Sequence, residues 1–165
     1  MASTPRLSLP FLSVGQAQKE FTHNEGLQTL DMLVAAAVEE PPLATPPASP
    51  QLGSCYIVAA SATDAWSGKD WCLAEWTSGG WRFLQPIEGM TAYERSSGTF
   101  AVYRVGTWEM GIVRAQSLVI DGEQVVGARA AAIESPAGGT TIDVEGRATI
   151  DAILGALRQH GLIAA

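Results

Sequence analysis

The sequence is short of charge. Only 16% of its 165 residues are charged although 47% are hydrophobic, whereas about a quarter are charged in an ordinary soluble domain. That balance excludes a disordered chain. It leaves two readings: a surface partly covered by other chains, or a protein rich in alanine and glycine. Positive charge is scarcer than negative, with a formal net charge of −7 and ten Lys and Arg scattered along the chain. No basic patch is available for a phosphate backbone, so no nucleic-acid partner is expected. Docking on an anionic membrane is unexpected for the same reason.

Cysteine is limited to Cys55 and Cys72, both in β-like apolar surroundings. There a buried free thiol is the ordinary state and a disulfide the alternative. With no Cys-x-x-Cys and no Cys/His cluster, no metal site and no cofactor are expected. No apolar run approaches the roughly 18 residues of a membrane span. The N-terminus lacks the basic and apolar regions of a signal peptide, so synthesis in a cytoplasm without export by that route is expected. Gly-x-Ser-x-Gly, Walker and His-Glu-x-x-His motifs are all missing. An enzyme is therefore not the expected class.

What is present divides the chain into four stretches. Residues 1–40 begin with an arm whose Pro5 and Pro10 disfavour helix and whose Leu9, Phe11 and Leu12 need a surface to lie on. That surface is the chain's own core or a neighbouring subunit. Thr22-His23-Asn24-Glu25 reads as a capping box, after a possible short turn over Gln16–Glu20. Leu27, Leu30 and Val34, with Leu33 alongside and Ala37 or Val38 beyond, then form one apolar stripe. Glu39-Glu40-Pro41-Pro42 is the expected stop. Residues 41–52 are a proline-rich connector, stiff and extended, without helix or sheet potential.

Residues 53–127 read as short antiparallel strands punctuated by glycine and serine, at Cys55–Ala59, Trp71–Trp76, Trp81–Leu84, Thr91–Glu94, Phe100–Arg104 and Thr107–Gly111. Setting LAEWTSGGWRFL (73–84) over FAVYRVGTWEMG (100–111) aligns Trp76 with Tyr103, Gly79 with Gly106 and Trp81 with Trp108. The shared pattern predicts two hairpins with aromatic cross-strand packing. Asp121-Gly122 between apolar runs predicts a third. Residues 128–165 end in a helix capped by Thr141 or Asp143. Its stripe is Ile150, Ile153, Leu154 and Leu157, and Gly161 is placed for a left-handed stop.

Few residues suggest chemistry. His23, Asn24, Glu25 and Asp31 resemble an acid–base cluster, but spacing specifies neither a nucleophile nor an oriented partner, and helix capping explains them better. His160 sits where an imidazolium would meet the negative end of a helix, which needs no function. The carboxylates are scattered, so no glycosidase pair is legible. Of the five tryptophans, Trp76, Trp81 and Trp108 fall at strand positions and are expected in the core. Trp66 lies in the loop-like SATDAWSGKD beside Asp64, Lys69 and Asp70, and is the expected surface-binding residue.

The opening segment resembles a family of uncharacterised phage and prophage proteins of alphaproteobacteria, found in tail-fibre and spike regions of siphophages and of gene transfer agents. Leu9-Pro10-Phe11, Gly15 to Lys19, Thr22 to Glu25 and Leu30-Asp31 carry the likeness. It continues through Pro47, Pro50, Gly53, Tyr56 to Val58, Trp66, Gly68, Trp81 to Phe83 and Pro86. Cys55 and Cys72 depart from the pattern. The tail from Val125 to Ile163 resembles a terminal module of phage fibre-like proteins.

The resemblance implies a virion protein, a tail-fibre or spike subunit, commonly an intertwined homotrimer, with other tail proteins as partners. Combined with the composition, it gives an α+β expectation: N-terminal arm and helix, a tryptophan-rich β-hairpin domain, and a C-terminal helix. Leu9, Phe11, Leu12, Leu27, Leu30, Val34, Ile150, Ile153, Leu154 and Leu157 are the expected assembly residues. Trp66, Asp64, Lys69 and Asp70 are the expected contacts to a host-surface polysaccharide. The alternatives are a structural adaptor between the tail and a separate adhesin, and a polysaccharide depolymerase.

Overall fold

The computed structural model describes residues 3–7, 9–12, 19–140 and 143–164, and for residues 19–22 the backbone alone. The fold is α+β, with two helices and several mostly antiparallel sheets. It divides into two compact units, Met1–Ile112 and Val113–Ala165. The division falls before the third hairpin, which therefore belongs with the C-terminal helix and not with the tryptophan-bearing strands.

In the first unit, helix α1 spans Lys19–Leu33. Strand β1 (Ala37–Val38) follows, then β2 (Cys55–Ile57), β3 (Leu73–Thr77), β4 (Gly80–Leu84), β5 (Thr91–Glu94), β6 (Thr99–Arg104) and β7 (Thr107–Met110). One sheet has the order β2-β3-β4. The other has the order β1-β5-β6-β7, with β1 parallel to β5 and the remaining pairs antiparallel. Between the two sheets lies a core of Val38, Ile57, Leu73, Ala92, Ala101 and Trp108, to which α1 adds Met32. The Trp108 indole donates to the Trp71 carbonyl at 2.8 Å and ties the second sheet to the first.

The opposite face of β2-β3-β4 is covered as well, by Trp66, Leu43 and Ala62 packed over Tyr56, Ala74 and the inner edges of Trp81 and Phe83. Burial on both faces is why β2 consists of three successive buried residues, without the alternation of a half-exposed strand. The two matched hairpins form in register. Trp76 faces Trp81 and Tyr103 faces Trp108, with ring centroids 5.0 Å and 5.4 Å apart in edge-on contact. Both separations lie in the favourable range for aromatic pairs.

Helix α1 departs from expectation at both ends. A capping box needs Thr22 outside the helix, but the helical backbone already runs from Lys19. Gln16 to Gln18 and the Thr22 side chain lie outside the description. At the far end the helix stops at Leu33, so Val34, Ala37 and Val38 are not helical. Ala35 takes a left-handed φ of 51°, and the Arg6 guanidinium of the arm occupies the carbonyls of Asp31, Met32 and Ala35. A cation on the last carbonyls satisfies acceptors that the helix itself leaves open. The chain then turns into β1.

The connector is also more than a spacer. Leu43 donates to Ile57 O and accepts from Ala59 N, and Thr63 N reaches Ala44 O, so the proline-rich strand is docked along β2. Prolines are tolerated here because only one edge carries hydrogen bonds.

The second unit contains strands β8 (Leu118–Ile120) and β9 (Glu123–Val126), joined through Asp121 and Gly122 at φ 51° and 84°, the backbone of a type I′ turn. Helix α2 spans Val144–Gln159 and is capped by Asp143, whose carboxylate accepts from Gly146 N at 2.8 Å. It ends with Gly161 at φ 70° and a bond from Leu162 N to Leu157 O, the Schellman arrangement. Thr141, the other expected cap, lies outside the description.

Candidate functional site

Two polar residues of α1, Gln28 and Asp31, turn inward. Asp31 has no exposed surface, and its carboxylate accepts from the Thr4 hydroxyl at 2.8 Å, Arg6 N at 2.8 Å and Leu7 N at 2.6 Å. Asn24 accepts from Leu12 N at 2.9 Å and donates to Leu12 O. The described arm is therefore fastened to its own helix. It crosses Gly53, where a φ of 82° and the close approach of the arm, which would bring an added Cβ within 3.1 Å of Pro5 Cβ, both call for glycine. The acid–base cluster suggested by the sequence is thus divided. Asn24 and Asp31 hold the arm, Glu25 pairs with Arg82 of β4, and His23 is exposed.

Two further carboxylates, Glu75 and Glu94, are buried. Glu75 of β3 has no exposed surface and accepts from Gln28 Nε2 at 2.7 Å. Burial raises its pKa, and the Gln28 hydrogen bond only partly opposes that. Glu94 is the reverse case: hydrogen bonds from Ser96 and Ser97 hold its carboxyl below the usual range. Burial pushes the Cys55 thiol up to about 12 and raises that of Cys72 as well. Both are free, buried and far from a reactive thiolate.

The raised Glu75 makes the charged form unfavourable in the folded state. Its contribution to stability is full below the ordinary carboxylate value of 4.5 and is lost as the pH rises through its higher folded value. Glu75→Gln removes that loss while keeping a partner for Gln28. The variant is expected to match the wild type in melts near pH 4 and to exceed it by ~1–2 kcal/mol at neutral pH. A difference that does not change with pH would contradict the assignment. Glu94, titrating in the opposite direction, affects both proteins alike.

Trp66 is corrected by the structure. It has no exposed surface, because a single 3-10 turn over Asp64–Trp66 folds the indole onto the sheet. There it meets Trp81 at 5.0 Å and Tyr56 at 5.9 Å. An indole with no open face cannot stack on a sugar. Asp70 accepts from Ser61 N and Ala62 N and closes the loop, and Asp64 accepts from the Thr63 hydroxyl. Of the four expected binding residues, Lys69 lines an opening. Its ammonium stands 5.5 Å from the Phe83 ring centroid.

That opening is a groove of about 500 Å³ along β4, lined by Glu25, Thr29, Lys69, Trp81, Arg82 and Phe83 among others. Because β4 is an edge strand, Trp81 and Phe83 from one face and Arg82 from the other reach the same space. A second cleft, of about 690 Å³, is walled by the arm and by Arg6, Glu39, Leu52 and Arg95. Its cations are engaged: Arg6 holds the end of α1, and Arg95 pairs with Glu39 at 3.4 Å. The groove is not among the sequence expectations, in which Trp81 is a core residue. Its signal was the alternation of Trp81, Arg82 and Phe83 on a strand followed by a loop.

The expected assembly residues fall into three classes. Leu12, Leu30, Val34, Ile150 and Ile153 are exposed, while Leu154 is buried within its own unit. Leu9, Phe11, Leu27 and Leu157 are half-buried. The second unit is poorly covered throughout. Among its described residues only Leu154 and Ile163 are buried hydrophobics, whereas Leu118, Val119, Ile120, Val125, Val126, Val144, Ile150 and Ile153 are all exposed.

No curated protein matches the chain. The sequence profile of one family does, over residues 23–109, and its printed description is Protein of unknown function (DUF2793). The match begins inside α1 and ends inside β7, so it takes in both sheets, the aromatic cluster and the whole groove, and covers more than half of the 165 residues. The chain belongs to the DUF2793 family.

Proposed function

We propose that this protein is a non-enzymatic phage structural subunit, part of a tail fibre or spike, assembled as an intertwined homotrimer that presents its first unit to a host-surface polysaccharide. The resemblance of the two ends to fibre-like proteins supplies the biological setting. The observation that carries the assembly reading is the second unit's exposed apolar surface. A stretch of 53 residues whose described part buries two hydrophobic side chains has little core to hold its own fold, and small domains ordinarily add a partner, a metal or disulfides. Other copies of the same chain supply that cover. Three weak sites presented together then bind a repeating glycan more tightly than one, since later contacts are intramolecular.

The burial of Trp66 favours a second reading, in which the protein is an adaptor joining the tail to a separate adhesin. The half-exposed Trp81 and Phe83 beside Lys69 keep the adhesin reading ahead. The test of the assembly is the mass of the full chain in solution at micromolar concentration: three copies support it and a monomer contradicts it.

A further inference from the structure

We infer that the groove along β4 is a binding site for a carboxylated sugar, such as a uronic acid residue of an acidic polysaccharide, and that Glu25 occupies the place of the ligand's carboxylate when the site is empty. The inference rests on the adhesin reading and names its ligand class. The protein as a whole carries a net charge of −7, so nothing about its overall field attracts an acidic glycan. The groove is different locally. It gathers Lys69 and Arg82 beside the half-buried rings of Trp81 and Phe83. At about 500 Å³ it falls within the usual range for small-ligand sites.

Each group has a matching role. The flat apolar face of a pyranose stacks on an aromatic rim, and here that rim is held rigid from behind by Trp66, 5.0 Å from Trp81. Arg82 already makes two hydrogen bonds to the Glu25 carboxylate, one of them 2.6 Å from Nη2 to Oε1. A planar guanidinium presents the same fork to any carboxylate. Glu25 is an easily displaced occupant because both partners are well exposed, and exposed ion pairs contribute little. Lys69 has no ion-pair partner among the described residues and stands over Phe83, next to where the ring would lie. Thr29 spends its hydroxyl proton on Glu25 O and keeps acceptor capacity toward the groove.

The experiment is calorimetric titration of the 165-residue chain with a galacturonic acid oligomer and with a neutral glucose oligomer of equal length. The acidic oligomer is expected to bind, the neutral one at least tenfold more weakly, and the acidic binding to weaken with added salt. Lys69→Ala and Arg82→Gln should each lower affinity about three- to tenfold. Both positions lie outside the buried core, and unchanged melts would confirm that folding is intact. Glu25→Gln should raise affinity, by up to about fivefold, since it removes the competitor for Arg82. Equal binding of the two oligomers, no binding of the acidic one, or weakened binding by Glu25→Gln would overturn the inference. Neutral-sugar binding unaffected by these changes would overturn it while leaving the adhesin reading standing, and silence toward every glycan would remove both.

Discussion

Replacing Asp31 with alanine should destabilise the first unit by ~2–4 kcal/mol, a large part of the ~5–15 kcal/mol that holds an ordinary domain together. The carboxylate is fully buried and accepts from three donors of the arm. Its loss leaves the Thr4 hydroxyl, itself only 2% exposed, without that acceptor in a dry setting. Each stranded buried donor costs about 1–3 kcal/mol, while the Arg6 and Leu7 amides, nearer solvent, recover part of theirs from water. Asp31→Asn should fall in between, because its amide nitrogen would face a donor.

The five tryptophans all lie between residues 66 and 108, so their fluorescence reports this unit alone during denaturant unfolding. Freed from Asp31, the arm should also open, and trypsin should cut after Arg6 faster than in the wild type. An unchanged midpoint together with an unchanged cleavage rate would show that the arm is not held this way.

The double change Ile150→Glu and Ile153→Glu should convert the proposed trimer to monomer at micromolar concentration. The two side chains are 46% and 55% exposed on α2, three residues apart and hence on one face. Within a single chain their replacement removes little packing, as exposed substitutions ordinarily change stability by no more than about 0.5 kcal/mol. Within an assembly built on that face, two unpaired carboxylates per chain would be buried at a cost of several kcal/mol each. The effect on association should therefore exceed the effect on the fold by orders of magnitude in the dissociation constant. Light scattering on the variant decides it: a mass unchanged from the wild-type assembly would remove α2 from the interface.

Much of this architecture was legible from residue patterns, and the misses share one cause. Hairpins announced by Gly106 and by Asp121-Gly122 form where those turn residues lie, because Gly106 and Gly122 take the positive φ that the turns require, 80° and 84°. Helix α2 ends at Gly161 for the same local reason. Helix α1 defied its pattern because its buried face is set by tertiary partners. Gln28 and Asp31 turn inward to meet Glu75 and the arm, and Leu30 is left 47% exposed. An apolar stripe identifies a helix but not which side the rest of the chain will cover.

Trp66 shows the converse. Polar neighbours suggested a surface loop, yet one turn of 3-10 geometry placed the indole beneath Tyr56 and Trp81, where burying so large a side chain contributes more than any loop contact. The groove needed both β4 at a sheet edge and Glu25 opposite Arg82, a juxtaposition across 57 residues that no local pattern contains.

Sedimentation equilibrium of the 165-residue chain asks whether other copies complete the C-terminal unit. The expected result is a single species of three times 17.4 kDa, stable on dilution through the micromolar range. A clean 17.4 kDa monomer with α2 fully helical would contradict it.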